Sequence, residues 1–291
     1  MIDFLKSALV GQTASEWLNN PNLRESFKTI VSNETGQIKE QRAFYRGQTI
    51  CVKPGGYVEV YGSIHKFYTG KSNATDFTSS ALVQSVAELA DSLRFDPYKA
   101  RMQNVEFGVN LVLPTSAKAL LSRAILYGNS DFTSRRTFDG NGYQLDAKHQ
   151  RYTFKPYDKA AQMRSAGTLY DGHMLRPEIR VTKMIHLAHA NLVTLGDLTR
   201  PQSLAPLGPM LTKAWDNILF FDPSINLEGL SKPRRDLLLQ GQSITYWQRL
   251  KPDSFRKQRR QFREWTEQYS DDPILEMVKA ELTSTYARLV G

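Results

Sequence analysis

The chain has 291 residues, of which 41% are hydrophobic and 11% aromatic. This composition excludes disorder as the main state and supplies a core for one large or two smaller domains. Its 38 lysines and arginines against 29 aspartates and glutamates give a formal charge of +9, which favours a polyanionic partner such as nucleic acid.

The remaining composition restricts the class of protein further. The single cysteine, Cys51, excludes an internal disulfide and a cysteine-rich zinc site. No apolar run approaches the ~20 residues that a membrane-spanning helix needs. The first residues lack the basic, apolar and cleavage segments of a signal peptide. We therefore expect a cytoplasmic protein with no membrane partner.

The N-terminal part of the chain predicts a β-rich meander. Asn33 to Gly36 form a strong turn signal between two β-patterned segments. A short polar helical segment is predicted over residues 14–23. Strands are predicted over residues 3–10, 26–32, 37–43, 48–52 and 57–65.

The pattern changes to alternating helices and strands after residue 76. Residues 77–93 carry apolar side chains at helical spacing behind Asp76 or Thr78 as the N-cap. Residues 105–111 alternate apolar side chains with Glu106 and Asn110, which predicts a strand with one apolar and one polar face. A helix over residues 116–126 and a polar, glycine-containing stretch over 128–142 follow.

Two further predicted strands carry the most informative residues. If residues 151–157 form a strand, Tyr157 shares one face with Thr153 and Lys155. Arg176, Glu178 and Arg180 likewise share one face of the strand over residues 174–183. Neighbouring strands with these faces aligned would bring a phenol close to a carboxylate. Alternatively Tyr157 caps a sheet edge and Glu178 forms a surface ion pair, and the spacing alone favours this second interpretation.

The C-terminal third is predicted to be helical. Between residues 231 and 264 there are ten basic and three acidic residues, so most of the excess positive charge lies there. Arg256, Lys257, Arg259 and Arg260 are candidates to contact phosphate, while the aromatic residues between the basic ones are expected to form core. This region is expected to bind nucleic acid or a protein partner. Helices are predicted over residues 184–190, 201–221, 227–240, 243–250, 253–268 and 272–289.

This order of elements predicts an α+β fold, in which helices cover a mostly antiparallel sheet and an all-helical C-terminal region follows. We expect a β-rich catalytic domain over residues 1–190 and a helical, basic region over residues 191–291. The sequence has no G-x-S-x-G element, no phosphate-binding G-x-x-x-x-G-K-[ST] loop and no His-hydrophobic-His metal motif.

The two motif strands resemble the replication initiation factor family of rolling-circle plasmids and related mobile elements. The segments are RYTFKPYDKAAQ (151–162) and MLRPEIRVTK (174–183). The family carries a nucleophilic tyrosine in I-Y-[ND]-K and a metal-binding glutamate in R-x-E-[IV]-x-x-K. Here Pro156 replaces the aliphatic residue, and Lys183 falls one place late. Similar upstream pieces, GSIHKF (62–67) and NVEFGVNL (104–111), extend the resemblance over the middle of the chain.

The resemblance implies a replication-type nicking domain with a set of site residues. Tyr157 would be the nucleophile, and Lys159 or Lys155, the nearest basic residues in the sequence, would ease its ionisation. Mg²⁺ or Mn²⁺ would be the cofactor, because both ions accept carboxylate oxygens and Mn²⁺ also accepts imidazole. The candidate metal ligands are Glu106, Glu178, His65 and Asn110, of which Asn110 stands where the family carries Asp and His65 has a structural or phosphate-binding alternative. The candidate DNA contacts are Lys155, Arg176, Lys183, Arg256, Lys257, Arg259 and Arg260.

The function implied is initiation of rolling-circle replication. The protein would nick and rejoin origin DNA, single-stranded or extruded as a hairpin, through a covalent 5′-phosphotyrosine. A helicase and a second copy of the chain are further candidate partners. The alternatives are a non-catalytic, sequence-specific DNA-binding protein on the same scaffold, in which Glu106 and Glu178 are structural, and an RNA-binding module.

Overall fold

A computed structural model of the protein describes residues 1–9, 11, 13–70, 72–138 and 141–291. All strand pairs in these ranges are antiparallel, and helices pack against the large sheet. The predicted α+β class with a mostly antiparallel sheet is therefore confirmed. The strands are β1 (Ile2–Leu9), β2 (Lys28–Val31), β3 (Ile38–Tyr45), β4 (Gln48–Val52), β5 (Val58–Ser63), β6 (Ala100–Gly108), β7 (Leu111–Leu113), β8 (Ala124–Tyr127), β9 (Ser134–Phe138), β10 (Gly142–Lys148), β11 (Tyr152–Asp158), β12 (His173–Val181) and β13 (Ile218–Phe220).

The large sheet has the order β2-β3-β4-β5-β1-β6-β12-β11-β10-β9, and β7 also pairs with β12. Strands β8 and β13 form a separate two-stranded sheet. The candidate site lies where β6, β12 and β11 adjoin at the middle of the large sheet. The α-helices are α1 (Ala14–Leu18), α2 (Ile64–Thr69), α3 (Ser79–Leu93), α4 (Ala117–Ser122), α5 (Lys159–Ser165), α6 (Pro201–Leu204), α7 (Leu207–Asp216), α8 (Lys232–Gln240), α9 (Ile244–Gln248), α10 (Pro252–Tyr269) and α11 (Ile274–Val290), and two 3₁₀ helices cover Met184–Ala190 and Leu195–Thr199.

Helix α3 shows how the local sequence positions an element against the sheet. The Thr78 hydroxyl accepts a hydrogen bond from the Ala81 amide at 3.3 Å, which caps the first turn. Leu82, Val86 and Leu89 recur at helical spacing and are buried. The predicted helix over residues 77–93 is confirmed, with Thr78 as the N-cap.

Two predicted helices end early and give way to strands. The helix expected over residues 116–126 ends at Ser122, and the one expected over 201–221 divides into α6, α7 and the strand β13. The cause is a pairing between distant segments, since Ile218 lies opposite Tyr127 and Leu219 opposite Leu126. Short apolar runs such as these fit a helix or a strand equally well until their partner is known. The polar stretch over 128–142 also contains β9, and α5 was not predicted.

The packing crosses the predicted domain boundary at residue 190. The main core joins residues of the large sheet and α3 to Leu211 of α7 and to Val278 and Leu282 of α11. A smaller core joins β8 and β13 to α8, α9 and α10 through residues such as Trp247 and Phe262. Apart from β13, the region after residue 190 is helical or irregular. Within the described ranges, no helix is both long and apolar enough to cross a membrane.

Candidate active site

The register of β11 and β12 brings the two motif faces together. Tyr157 lies opposite Arg176, Lys155 opposite Glu178, and Thr153 opposite Arg180. Because side chains alternate across a sheet, these three pairs project from the same face. The two strands are therefore neighbours with these faces aligned, which was the condition for a shared site.

Strand β6 places a second carboxylate beside Glu178. Glu106 lies opposite Arg180, and Gly108 lies opposite Glu178. A Cβ atom at position 108 would stand 2.4 Å from the carbonyl oxygen of Pro177 and 3.0 Å from the Cα of Glu178. Only glycine therefore allows β6 to approach β12 this closely at the site.

We expect Gly108→Ala to destabilise the protein by ~1–3 kcal/mol, because its methyl group must push two backbones apart. The shift should also separate Glu106 from Glu178. Chemical denaturation gives the free energy of unfolding. Val112→Ala, at an exposed position of the neighbouring strand β7, is the control and should change it little. Equal stability of the two variants would contradict the close approach.

A cluster of carboxylates and cations occupies the face. The Lys155 Nζ lies 2.7 Å from Glu178 Oε1 and 3.6 Å from Glu106 Oε2. The second oxygen of Glu178 accepts from Arg176 Nε at 3.0 Å, and that of Glu106 pairs with Arg180 Nε at 3.1 Å. Each carboxylate oxygen of Glu106 and Glu178, two of the predicted metal ligands, thus has a cationic partner.

The two carboxyl groups differ in their pKa. Burial, and then the charge of Glu178, raises the pKa of Glu106 to about 7. Burial acts to raise the pKa of Glu178 too, but Lys155 and Arg176 outweigh it and hold that pKa below its usual value of 4.5. Near neutral pH, Glu178 is therefore ionised and Glu106 is partly protonated.

The raised pKa of Glu106 predicts a pH dependence of stability. Between pH 4.5 and about 7 the folded chain keeps a proton on Glu106 that the unfolded chain releases. The contribution of this group to the free energy of unfolding is therefore greatest below pH 4.5 and is lost as the pH rises through 7. In the presence of chelator, the free energy of unfolding of Glu106→Gln should fall less than that of wild type over this pH range. Glu34→Gln, at an exposed turn, is the control, and a Glu106→Gln profile parallel to wild type would contradict the assignment.

Arg176 lies at the centre of a buried polar network. Besides Glu178, its guanidinium donates to Asn110 Oδ1 at 3.0 Å and to Asp3 Oδ2 at 3.2 Å. The residue as a whole is 1% exposed. A guanidinium held this way cannot contact a phosphate of DNA in this conformation, so its role here differs from the one that the sequence predicted.

The network continues from Asp3 to Lys159. Asp3 also accepts hydrogen bonds from the Ser63 hydroxyl and the Asn73 amide. Asn73 Oδ1 accepts from Lys159 Nζ at 2.5 Å, and Gln162 Oε1 accepts from the same ammonium at 2.7 Å. Burial, and then the charge of Arg176, lowers the pKa of Lys159 to about 8. Lys159 therefore loses its proton more easily than an exposed lysine.

The candidate nucleophile Tyr157 is buried beside this network. Tyr157 is 6% exposed, and burial raises the pKa of its phenol well above the ordinary value of 10.0. The charge of Glu178 raises that pKa further, while Arg176 acts in the opposite direction. Tyr157 also lines a cavity of about 360 Å³ together with Arg136, Thr137, Phe138, Gln144 and Gln162. Its volume falls within the ~300–1,000 Å³ that ligand pockets occupy.

The other two predicted metal ligands lie in settings that the sequence did not indicate. His65 belongs to α2 rather than to the predicted strand, is stacked on Phe77 at 4.6 Å between ring centroids, and its Nε2 lies 3.3 Å from the Thr75 hydroxyl. Burial lowers its pKa to about 3. Asn110 lies between β6 and β7, and its amide group donates to the carbonyls of Asn73 and Ala74. Asn110 therefore does not share a strand face with Glu106.

Two residues of the site carry oxygen atoms of the kind that a hard divalent cation binds. Glu106 and Glu178 offer carboxylate oxygens side by side, which Mg²⁺ and Mn²⁺ prefer. The described residues contain no group of three or more His, Cys, Asp or Glu side chains that could hold a metal ion. A metal bound here would therefore rest on this pair of carboxylates together with other oxygens and water.

The C-terminal basic residues divide into exposed and half-buried groups. Arg256, Lys257 and Arg260 are exposed on α10. Arg259 is half-buried and donates to the carbonyl of Asn217 at 3.1 Å, and no described residue accepts from its Nε. Burial, and then the charge of Arg263, lowers the pKa of Arg259 to about 10. A cleft of about 330 Å³ is lined by Asn129, Arg256, Arg259, Arg260, Arg263, Glu264 and Glu267.

We expect that changing Arg256, Lys257 and Arg260 together to Gln will weaken binding to duplex DNA. The dependence of log affinity on log salt should flatten by ~0.9 for each lost phosphate contact. Fluorescence anisotropy over a salt series measures this slope. Changing the exposed Lys28, Lys39 and Lys99 to Gln removes the same amount of charge outside α10. This control should leave the salt dependence of the affinity closer to that of wild type. Equal effects of the two triple variants would show that α10 is not the DNA-binding face.

Asp3, Asn73 and Ser63 belong to the network around Arg176 and were not predicted as parts of the site. Asp3 offered one signal, since an aspartate within the apolar N-terminal strand needs a buried partner. Asn73 and Ser63 offered none, because their roles depend on how α2 and the following loop pack against β1. Lys183, predicted as a DNA contact, is exposed beyond the end of β12.

Among known proteins, the chain is similar to solved structures. No protein-family model matches the chain, and no curated protein matches it. The structure superimposes on the rolling circle replication initiator protein from Geobacillus stearothermophilus with a TM-score of 0.45 and 14% sequence identity, over 80% of this chain and 88% of that chain. A similarity of this size does not establish a function, which has to be argued from the residues of the site.

Proposed function

We propose that the protein nicks and rejoins DNA to initiate rolling-circle replication, with Tyr157 as the nucleophile and Mg²⁺ or Mn²⁺ as cofactor. The observation that carries the proposal is the shared face of β11, β12 and β6. This face sets Tyr157 opposite Arg176 and places the carboxylates of Glu178 and Glu106 next to each other. The motif resemblance over residues 151–183 gives independent support.

In the proposed reaction the Tyr157 oxygen attacks the phosphorus of the scissile phosphodiester. A bond forms between the phenolic oxygen and phosphorus, and the bond from phosphorus to the 3′ oxygen breaks. The phenol loses its proton, and the departing 3′ oxygen gains one. The DNA 5′ end stays on the tyrosine, the 3′ hydroxyl serves a polymerase, and the reverse reaction rejoins the strand.

The buried cations of the network would assist this step. The Arg176 guanidinium favours the phenolate form of Tyr157, which burial otherwise disfavours. Lys159, with its pKa of about 8, is our candidate to exchange a proton near neutral pH. A metal ion on Glu106 and Glu178 would polarise the scissile phosphate. In the metal-free site Glu178 would be ionised, because Lys155 and Arg176 stabilise its charge.

The proposed partner is origin DNA, single-stranded or in a hairpin. Lys183 and the exposed basic residues of α10 would supply phosphate contacts outside the catalytic face. A helicase and a second copy of the chain remain candidate partners for the C-terminal region, and we place the activity in the cytoplasm.

A second candidate function is non-catalytic, sequence-specific DNA binding. Two observations favour it: Tyr157 is buried, and each oxygen of Glu106 and Glu178 already has a cationic partner. In this case the cluster would serve to hold the three strands together.

One assay separates the two candidates. The protein is incubated with a library of single-stranded oligonucleotides and Mn²⁺, and products are resolved under denaturing conditions. The proposed enzyme yields cleaved strands and a protein band shifted by covalent DNA. Specific binding without either product would favour the second candidate.

A further inference from the structure

Lys155 holds a position that no other cation of the described chain shares. Its Nζ lies within 4 Å of both Glu106 and Glu178, at 3.6 Å and 2.7 Å. Arg176 pairs with Glu178 but not Glu106, and Arg180 pairs with Glu106 but not Glu178. The ammonium of Lys155 is therefore the charge that bridges the two carboxylates.

Of the two cations that pair with Glu178, Lys155 is the one better able to leave. Arg176 is fixed by acceptors on Glu178, Asn110 and Asp3, and its side chain is 2% exposed. The Lys155 side chain is 20% exposed and, among the residues that the structure describes, has the two carboxylates as its acceptors. Lysine carries a compact charge on a flexible stem, whereas a guanidinium held by several acceptors is rigid.

A divalent cation that binds both carboxylates would compete with Lys155 for them. It would repel the bridging ammonium, because both carry positive charge. The displaced lysine stays on the same sheet face as Tyr157, where the scissile phosphate would lie in the proposed reaction. A phosphate there offers the ammonium a new anionic partner.

We propose that Lys155 is the resident counter-ion of Glu106 and Glu178, that it competes with the divalent metal for them, and that it transfers to the DNA phosphate when the metal binds. The inference rests on the proposed function for the identity of the metal and of the phosphate. Lys155 would then be a positioning residue that couples the binding of the metal to the binding of DNA. Metal and DNA should then strengthen each other's binding.

Isothermal titration of Mn²⁺ into the DNA-free protein tests the competition. Lys155→Gln should bind Mn²⁺ at least ~5-fold more tightly than wild type, because the competing charge is gone. Lys155→Arg keeps the charge and should not bind more tightly. Lys148→Gln, at an exposed lysine on the adjacent strand β10, is the matched control and should leave the affinity unchanged. Circular dichroism confirms that each variant is folded.

The coupling is measured in a Tyr157→Phe background, so that no strand is cut. Adding a single-stranded oligonucleotide should tighten Mn²⁺ binding, and adding Lys155→Gln should remove most of this gain. Unchanged or weaker Mn²⁺ binding by Lys155→Gln would overturn the inference, as would an undiminished gain. If no variant binds Mn²⁺, the inference fails together with the metal part of the proposed function. Tighter binding by Lys155→Gln in a protein that never nicks DNA would support the inference and refute the proposed activity.

Discussion

Tyr157→Phe is expected to abolish strand cleavage and covalent attachment to DNA, by at least ~1,000-fold, while DNA affinity stays within a factor of ~2. The substitution removes only the hydroxyl oxygen that would attack phosphorus. The ring keeps its place in β11, so the fold and the cavity beside it should persist. Gel analysis of oligonucleotide cleavage measures the loss, and anisotropy measures the affinity.

The neighbouring tyrosines supply the controls for this prediction. Tyr152 stacks between His149 and His186, with ring centroids 4.6 Å and 4.4 Å away, and Tyr170 packs against a small apolar cluster. Phenylalanine at either position should leave most cleavage activity intact. Full activity of Tyr157→Phe, or its loss in Tyr152→Phe instead, would assign the nucleophile elsewhere.

Glu178→Gln should have the second largest effect, because it acts on both the chemistry and the fold. The variant loses the ionised oxygens proposed to hold the metal, so Mn²⁺ binding and cleavage should both fall strongly. It also leaves Arg176 with one fewer anionic partner inside the protein. Breaking a buried ion pair from one side costs ~3–5 kcal/mol, so the free energy of unfolding should fall by a similar amount.

Glu106→Gln separates these two contributions. Glu106 is less buried than Glu178, and its cationic partners Lys155 and Arg180 reach toward solvent. Its loss should therefore impair metal binding and cleavage with a smaller loss of stability. Denaturation and Mn²⁺ titration of both variants, beside Glu34→Gln, make the comparison. Full cleavage by both glutamate variants, or by wild type in excess chelator, would remove the metal from the mechanism.

The sequence predicted the parts of the site that follow from local alternation. The paired faces of β11 and β12 follow from the two-residue period of a strand, and Glu106 follows from the apolar residues that flank it. The hairpin between β2 and β3 and the cap of α3 likewise depend on residues close in the chain. Such features require no knowledge of distant partners.

The features that the sequence did not predict depend on contacts between distant segments. Arg176 had the pattern of an exposed basic residue, and its burial becomes clear only when Asp3, over 170 positions away, lies beside it. His65 lies in a helix rather than in the predicted strand, because the Ser63 hydroxyl caps α2 and ends the strand before it. Lys155 was predicted to contact DNA, and the register of three strands instead places it between two carboxylates.

The most direct test of the account is to locate the DNA on the protein. Wild-type protein is reacted with a cleavable single-stranded oligonucleotide and Mn²⁺, digested with protease and nuclease, and analysed by tandem mass spectrometry. The account predicts a nucleotide joined through its 5′ phosphate to Tyr157, in the peptide that spans β11. An adduct on another residue, or cleavage with no adduct at all, would contradict it.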